Sequence, residues 1–474
     1  MTEREFHDFM RTGWSPVGRS VTELRQASFH AERRKALSDA FPGETIVVPT
    51  GREQVRANDM HYRFRAGSDF AWLTGDLDPE GVLVLHATAS GHDAVLYRRP
   101  GRGVDSEEYF ASLQYGELWR GRRETLAEST TMLGIECRDL QDLDPVLDRI
   151  ARGRVRVLRD LDADIDARFA VETPAAPETT GSGLAFTLAE LRLVKDPWEL
   201  EQLQEAVDAT VRGFEDVARI LPPTGTVPER LIEGVFGARA RVEGNGVGYE
   251  SVVAAGPNAT TVHWTANTGR TRSGELILMD MGVEGRNLYT ADLTRTLPVS
   301  GSFTAVQREV YDIVLAAQQA GIDAIKPGVS IRAIRQACME VLAEGVQDLG
   351  LLPRAAGGVS ATDSPRYRRW TLHGFGHMLG IDVHDCAASW PDRFQHGVIE
   401  ENHVLTVEPG LYFQPNDELV PEELRGIGIR IEDDVHVTAD GCRNLSAALP
   451  RHATEVENWL AAQRESGPRI PTEL

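Results

Sequence analysis

Two aspartates in the second half of the chain have the types and spacing that could hold a cation. Asp280 ends an apolar run, Asp292 lies in the next strand-like segment, and a turn over 284–287 separates them. Both are equally distant from Arg286, so a hairpin centred there predicts that they lie directly opposite each other. Two like charges at that distance are destabilising unless a cation lies between them. The pair therefore indicates either a metal site or two solvated aspartates.

Two glutamates in later strand-like segments extend this acidic set. The segment 426–434 alternates strictly, with isoleucines on one face and glycines, Arg430 and Glu432 on the other. Glu408 follows an apolar run and precedes Pro409-Gly410, so its charge is expected to be buried or paired. Glutamates at strand ends are common, and each of these two is weak evidence when taken alone.

Three histidines lie within twelve residues and add imidazole to the set. His373 and His377 have the four-residue spacing of a zincin helix, but no glutamate lies between them and two glycines argue against a helix. His384 follows seven residues later. A single histidine is usually a surface or core residue, whereas three beside four carboxylates favour a functional site.

The composition of this set selects the kind of metal. Two aspartates, two glutamates and one histidine are an oxygen-rich group, which suits hard or borderline divalent ions such as Mn²⁺ or Co²⁺. Two such ions about 3.5–4 Å apart can hold a bridging hydroxide and polarise a substrate carbonyl. The residues therefore predict a two-metal hydrolytic centre.

The first third of the chain reads as a separate α/β unit. Strands are predicted over 44–49 and 155–161, with a hairpin built from 81–87 and 93–99 between them. The stretch 172–183 is rich in Pro, Thr and Gly and has the composition of a linker. We therefore predict an N-terminal α/β domain over 1–183.

The remainder, 184–474, is predicted to be an α+β domain with helices flanking a mostly antiparallel sheet. A helix should begin at Pro197 after an Asp196 cap. A second should begin after Thr304 and run to about Lys326, and a third should cover roughly 331–348. The stretch 355–365 is predicted to be a surface loop.

Charge and hydropathy exclude several classes of partner. The chain has 474 residues, with 50 Lys plus Arg against 72 Asp plus Glu, a formal charge of −22. Such a chain repels phosphate backbones and anionic membrane surfaces, so nucleic acid and membranes are not expected partners. We found no run of about 18 apolar residues and no apolar signal-peptide stretch, and the prediction is a cytoplasmic protein.

Five motifs occur in an order that resembles the metallopeptidases of the pita-bread fold: ELILMDMG, ADLTRTLPV, HGFGHMLGIDVHD, VLTVEPGLY and GIGIRIEDD. They are most similar to the proline-specific branch, aminopeptidase P and prolidase. The segments YESVVAAGPNATTVHWT and YRFRAGSDFAWLTG extend the resemblance to aminopeptidase P upstream, into its creatinase-type N-terminal domain. The resemblance covers roughly 30–450 and implies a pita-bread catalytic domain preceded by an α/β domain.

The resemblance also implies a role for each matched residue. The ligands of two divalent ions, most simply Mn²⁺ with Co²⁺, Zn²⁺ or Fe²⁺ as alternatives, would be Asp280, Asp292, His377, Glu408 and Glu432. Glu408 would also take the proton from the attacking hydroxide, and His263 and His384 would hydrogen-bond the scissile carbonyl and the oxyanion. The pocket for the proline ring would be bordered by His373, Tyr412 and Arg430.

The activity implied is that of a metal-dependent Xaa-Pro aminopeptidase, which removes the first residue from peptides with proline second. Trp119 resembles a tryptophan that aminopeptidase P tetramers lend to a neighbouring site, which implies a homo-oligomer, either a dimer or a tetramer. Three alternatives stay open: a prolidase that cleaves only Xaa-Pro dipeptides, a non-catalytic pita-bread binding protein, and a creatinase-like enzyme without metal.

Overall fold

The computed structural model divides the chain into two compact units, Met1–Leu191 and Arg192–Leu474. We call them the N-terminal and the C-terminal unit. The predicted linker over 172–183, apart from Gly183, and most of the predicted loop over 355–365 lie outside the described residues. Within the described ranges, every helix is too short or too polar to cross a membrane. The structure describes residues 2–15, 19–169, 183–353, 362, 365–389 and 397–469.

The N-terminal unit is built on a mixed five-stranded sheet whose order is β6-β5-β4-β1-β7. Its strands are β1 (Thr45–Pro49), β2 (Val55–Ala57), β3 (Met60–His61), β4 (Val82–Thr88), β5 (Gly91–Arg98), β6 (Glu136–Asp139) and β7 (Val155–Val157). Its helices are α1 (Glu3–Arg11), α2 (Ala27–Ala40), α3 (Ser68–Thr74), α4 (Glu108–Ala111), α5 (Glu117–Arg120), α6 (Leu126–Leu133), α7 (Leu143–Ile150), α8 (Ala163–Arg168) and α9 (Leu184–Leu193), the last of which runs on into the C-terminal unit. The α/β class predicted for this unit is confirmed.

The predicted hairpin is present as the antiparallel pair β4 and β5, and β1 lies where a strand was expected. The strand predicted over 155–161 is too long, because β7 ends at Val157. Asp160 then takes a left-handed φ of +68°, and the Asp162 side chain caps α8. The predicted strand therefore included the turn at Asp160 that leads into the next helix.

The C-terminal unit contains short antiparallel sheets and long helices. Its helices are α10 (Pro197–Ile220), α11 (Glu229–Glu243), α12 (Ala305–Asp323), α13 (Ile331–Asp348) and α14 (Ala453–Ser466). Its strands are β8 (Gly246–Val247), β9 (Val252–Ala255), β10 (Leu276–Met281), β11 (Val283–Glu284), β12 (Leu293–Pro298), β13 (Val404–Val407), β14 (Gly410–Tyr412), β15 (Gly428–Arg430), β16 (Asp433–Val437) and β17 (Cys442–Asn444). The strands pair as β12-β10-β9, β11-β8, β13-β16-β17 and β14-β15, so the expected sheet is divided into several pieces.

Capping chemistry accounts for the helices that were predicted. Asp196 caps α10 and forms a capping box with Glu199, and Thr304 forms the same box with Gln307 at the start of α12. The third helix, α13, has the expected bounds, whereas α12 ends at Asp323 rather than near residue 326. Helices α11 and α14 were not predicted.

Candidate active site

Asp280 and Asp292 come from neighbouring strands but not from opposite positions. Strand β10 pairs with β12 so that Asp280 faces Thr294. The predicted register is therefore wrong by two residues, because the connecting turn ends at Leu288, which takes a left-handed φ of +73°. The two carboxylates still meet, since the Tyr249 hydroxyl lies 2.8 Å from Asp280 Oδ1 and 2.5 Å from Asp292 Oδ1. One hydroxyl hydrogen thus serves two acidic groups.

Glu408 and Glu432 lie at a gap between two pairs of strands. β13 and β16 pair as far as Val407 opposite Asp433, and β14 and β15 continue in the same register beyond the gap. Counting along this register places Glu408 opposite Glu432. The unbroken strand predicted over 426–434 is therefore interrupted just where its glutamate lies.

Proline explains the gap and Thr294 compensates for it. The nitrogen of Pro409 has no hydrogen to donate, so the ladder is incomplete beside it. Glu432 turns instead to β12, where its backbone N–H donates to the Thr294 carbonyl at 3.1 Å. The Thr294 hydroxyl donates to Glu432 Oε2 at 2.7 Å. This pair of bonds fixes the glutamate with its other oxygen still available.

His377 presents one ring nitrogen to the carboxylates. Its Nδ1 donates to the Met378 carbonyl at 3.1 Å, whether the ring is neutral or protonated, and Nε2 faces Asp292 Oδ2 at 3.3 Å and Glu408 Oε1 at 3.8 Å. The chain before it is not helical, as the glycines predicted. A Cβ on Gly376 would lie 1.9 Å from the Thr406 carbonyl oxygen, so only glycine allows this close approach.

The electrostatics show an excess of negative charge. Burial and the neighbouring carboxylates of Asp292 and Glu408 raise the pKa of Glu432 well above its ordinary value. Burial, opposed by His377 and Arg430, raises the pKa of Glu408 to about 7. Burial lowers the pKa of His377, but the adjacent Asp292 and Glu408 outweigh it and raise that pKa to about 9. The fold has brought together more carboxylates than its own cations can balance.

This donor set fits divalent cations. One ligand atom each from Asp292, His377 and Glu432 can be chosen so that all three lie within 4.8 Å of one another. Asp280 and Glu408 line the same cavity beside them. An imidazole with a fixed tautomer and several buried carboxylates match the ligands that hard and borderline ions take. We call these five residues the carboxylate centre.

Arg430, Tyr412 and His373 form a chain of contacts beside the carboxylate centre. Arg430 is buried and donates to Asp280 Oδ2 at 2.6 Å and to the Tyr412 hydroxyl at 2.8 Å. That hydroxyl lies 2.7 Å from His373 Nε2, and His373 Nδ1 lies 3.5 Å from Glu408 Oε2. Burial and Arg430 lower the pKa of His373 to about 3, so the ring is neutral at pH 7.

A cavity of about 900 Å³ gathers the predicted site residues. The whole carboxylate centre lines it, together with His263, His373, His384 and Arg430. Tyr412 is not among the described residues that line it, and lies behind His373 and Arg430 instead. The His384 ring is 4.3 Å from the ring of His377, centroid to centroid, and burial together with His377 lowers the pKa of His384. At neutral pH it therefore offers one N–H and one free nitrogen.

Glu229, on the unpredicted helix α11, anchors the segment that carries His263. Its buried carboxylate accepts hydrogen bonds from the Trp264 indole at 2.9 Å and the Asn258 amide at 2.8 Å. It also accepts from the backbone N–H groups of Ala255 and Gly269. Four donors on one carboxylate hold both sides of the His263 segment in place.

A buried ion cluster holds the loop that carries His384. Asp385 accepts from Lys195 Nζ at 2.9 Å and from Arg192, and all three side chains are almost fully buried. Burial raises the pKa of Asp385, but Arg192 and Lys195 outweigh it and lower the pKa to about 2. A Cβ on Gly380 would lie 2.1 Å from Asp385 Oδ2, so the loop closes tightly on this carboxylate. We call Arg192, Lys195 and Asp385 the Asp385 cluster.

Sequence reasoning did not find several of these residues. Tyr249 begins the segment that was matched to the family, but a lone tyrosine carries no spacing signal. Glu229 and Lys195 act through bonds to segments distant in sequence, which a local pattern does not reveal. The signal available for Lys195 was its position immediately before the Asp196 cap, where the start of α10 is fixed.

Both units match models of known protein families. Residues 201–439 match the model of metallopeptidase family M24, and residues 30–158 match the aminopeptidase P N-terminal domain. The chain is 49% identical over 459 residues to Xaa-Pro aminopeptidase 1 of Streptomyces coelicolor, across 97% of this chain and 92% of the relative.

This chain belongs to metallopeptidase family M24. Within the family, it is 31% identical to the Xaa-Pro aminopeptidase of Escherichia coli over 464 residues, across 94% of this chain and 100% of the relative. The solved structure of Pseudomonas aeruginosa aminopeptidase PepP matches with a TM-score of 0.82 and 30% identity, across 93% of this chain and 99% of that one. The fold is therefore an aminopeptidase P N-terminal domain followed by the pita-bread domain of the M24 family, as the motifs implied.

Proposed function

We propose that this chain is a metal-dependent exopeptidase that removes the N-terminal residue from peptides with proline in second position. The observation that carries the proposal is the gathering of the carboxylate centre, His263 and His384 around one cavity. Relatives that are nearly half identical over almost the whole chain are named Xaa-Pro aminopeptidases, which supports the same activity here.

The carboxylate centre would hold two divalent ions, and Asp292, His377 and Glu432 offer ligand atoms within 4.8 Å of one another. Divalent ions bound in such a site polarise a substrate carbonyl and favour deprotonation of water at neutral pH. The oxygen-rich ligand set supports Mn²⁺ as the preferred ion, and Co²⁺, Zn²⁺ and Fe²⁺ remain compatible with it. The identity of the ion and the cytoplasmic location stay predictions.

The protein side chains would orient the substrate and move its protons. Glu408 has one carboxylate oxygen toward His377 and the other toward His373, so it is held in place to accept a proton from the attacking water. His263 and His384 would each donate a hydrogen bond to the scissile carbonyl oxygen as negative charge develops on it.

The proposed site can accept proline because none of its proposed contacts needs an N–H on the scissile amide. The bond before proline is a tertiary amide without an N–H, so an enzyme that must bond to that hydrogen is excluded. Here all the proposed contacts are made to the carbonyl and to the ring. His373 and Arg430 would border the proline ring, and Tyr412 would act from behind by orienting both.

We also propose a homo-oligomer, in which an apolar surface of the N-terminal unit contacts a second copy. Leu113, Leu118 and Trp119 are exposed in and around helices α4 and α5. The Trp119 indole donates to the Phe110 carbonyl at 2.8 Å, which fixes the ring. Sedimentation should give a dimer or tetramer, and Trp119→Glu should shift it toward monomer. A monomeric wild type would overturn this proposal.

A two-substrate assay in Mn²⁺ tests the activity, with an Xaa-Pro dipeptide beside an Xaa-Pro-Yaa-Yaa peptide. Release of only the first residue from the longer peptide is the expected result. Cleavage of the dipeptide alone would make the chain a prolidase. Loss of both activities with metal bound would favour a binding protein, and the Glu432→Gln variant provides the inactive control.

A further inference from the structure

The cavity has a basic side that the proposed reaction does not use. Helix α13 contributes Ile331, Arg332, Arg335, Gln336 and Met339 to the lining. Ile331 and Met339 are buried and pack the helix against the rest of the unit, whereas Arg332 and Arg335 are exposed. The two arginines lie three residues apart, so they lie on neighbouring turns of one face.

Arg332 and Arg335 differ from the third arginine of the cavity. Arg430 is buried and committed to Asp280, Tyr412 and Thr294. Within the described part of the chain, no hydrogen bond or ion pair engages the guanidinium of Arg332 or of Arg335. Two exposed guanidinium groups therefore line the same cavity as the largely buried carboxylate centre.

The direction of a bound peptide follows from the proposed function, on which this inference rests. An exopeptidase of this kind binds only one substrate residue before the scissile bond, whereas the part of the peptide after proline can have any length. That part must extend toward the solvent-exposed part of the lining, because Asp292, His377 and Glu432 of the carboxylate centre are buried. The residues after proline thus pass the side on which the exposed arginines lie.

We propose that Arg332 and Arg335 form a subsite for a carboxylate located after proline in the substrate. A guanidinium can donate two parallel hydrogen bonds to a carboxylate. Two guanidinium groups one helical turn apart can therefore bind either a side-chain carboxylate or a C-terminal one. The subsite makes acidic peptides the preferred substrates of a chain whose net charge of −22 would otherwise repel them.

The test is a matched series of Xaa-Pro peptides assayed with the wild type and the double variant Arg332→Gln/Arg335→Gln. Glu, Gln or Lys is placed in turn at the third, fourth and fifth positions, each peptide with a free or an amidated C-terminus. The wild type should prefer Glu over Gln through KM. The single variants should lose about threefold and the double variant about tenfold of that preference, with kcat on neutral peptides unchanged.

The arms of the series separate the two sources of the carboxylate. A preference that disappears on amidation assigns the subsite to the C-terminus of short peptides, whereas one that persists assigns it to acidic side chains. Arg368→Gln is the matched control, because Arg368 is exposed on a nearby segment and is not among the described lining residues. The double charge reversal Arg332→Glu/Arg335→Glu should invert the preference toward Lys.

Three results would contradict the proposals, and they are distinguishable. Equal kcat/KM for Glu and Gln peptides in an active wild type, or a Glu preference unchanged in the double variant, would overturn the subsite alone. No cleavage of any peptide by the metal-loaded wild type would overturn the proposed function and the subsite with it.

Discussion

Two clusters of buried charged residues in the C-terminal unit differ in how their carboxylates are neutralised. In the Asp385 cluster, a carboxylate is matched by Arg192 and Lys195, and its pKa falls to about 2. In the carboxylate centre, four carboxylates share one arginine and one histidine, and the pKa of Glu432 rises well above its ordinary value. In the Asp385 cluster the cations of the protein balance the carboxylate, and the cluster stabilises a loop. In the carboxylate centre the negative charge is in excess, and we propose that bound metal ions balance it.

The largest effect should come from neutralising the carboxylate centre. Glu432→Gln should abolish turnover and weaken metal binding, because it removes one of the charged ligands proposed to hold the ions. The metal-free variant should unfold at the same temperature as the wild type or higher, because one repelling charge is gone. Activity, metal content and thermal unfolding would be measured together, and near-normal turnover would refute the two-metal assignment.

His384 belongs to the cavity but lies on the loop that the Asp385 cluster holds. His384→Ala should lower kcat by about 10²–10³, the usual cost of losing an oxyanion donor. Metal content should not change, because His384 is not among the proposed ligands. Loss of metal from this variant would instead place His384 among the ligands.

Asp385→Asn should give the opposite pattern from Glu432→Gln. It removes the charge of the carboxylate that Arg192 and Lys195 share, which we expect to cost about 3–5 kcal/mol, or a Tm lower by about 10 °C. Movement of the His384 loop should reduce kcat by about tenfold to a hundredfold while metal binding persists. Asp382→Asn is the matched control: Asp382 also pairs with Arg192 but is partly exposed, so its loss should cost less than about 1 kcal/mol.

The smallest effect is the pH dependence of the Asp385 cluster. The pKa of Asp385 is lower in the folded chain than its ordinary value of 3.8, so the unfolded chain takes up the proton first as pH falls. The difference in free energy of unfolding between wild type and Asp385→Asn should be at its full value above pH 3.8 and should decline toward pH 2. Urea unfolding of the metal-free proteins would measure this, and a difference that grows with acidity would contradict it.

The sequence predicted what depends on local pattern and on the order of motifs. The Asp196 cap of α10, the capping box of α12, the N-terminal hairpin and the α/β plus pita-bread architecture are confirmed. The register of Asp280 was wrong because it depends on the φ of Leu288, which no side-chain pattern encodes.

Long-range contacts limited the prediction of the site. Glu229 and Lys195 position the segments that carry His263 and His384 through partners up to about two hundred residues away, and only the folded chain brings them together. The gap between β15 and β16 depends on Pro409 in another strand, so the alternation around Glu432 suggested a continuous strand. Motif order selected residues most of which line one cavity, and tertiary contacts determine what each of them touches.

The central claim is that the carboxylate centre, and not the Asp385 cluster, is completed by ions. Calorimetric titration of Mn²⁺ into the metal-free protein tests it most directly, with wild type, Asp385→Asn and Glu432→Gln in parallel. We expect two ions per chain for wild type and Asp385→Asn, and weakened or absent binding for Glu432→Gln. Equal binding by Glu432→Gln and wild type, or no binding by wild type, would contradict the account.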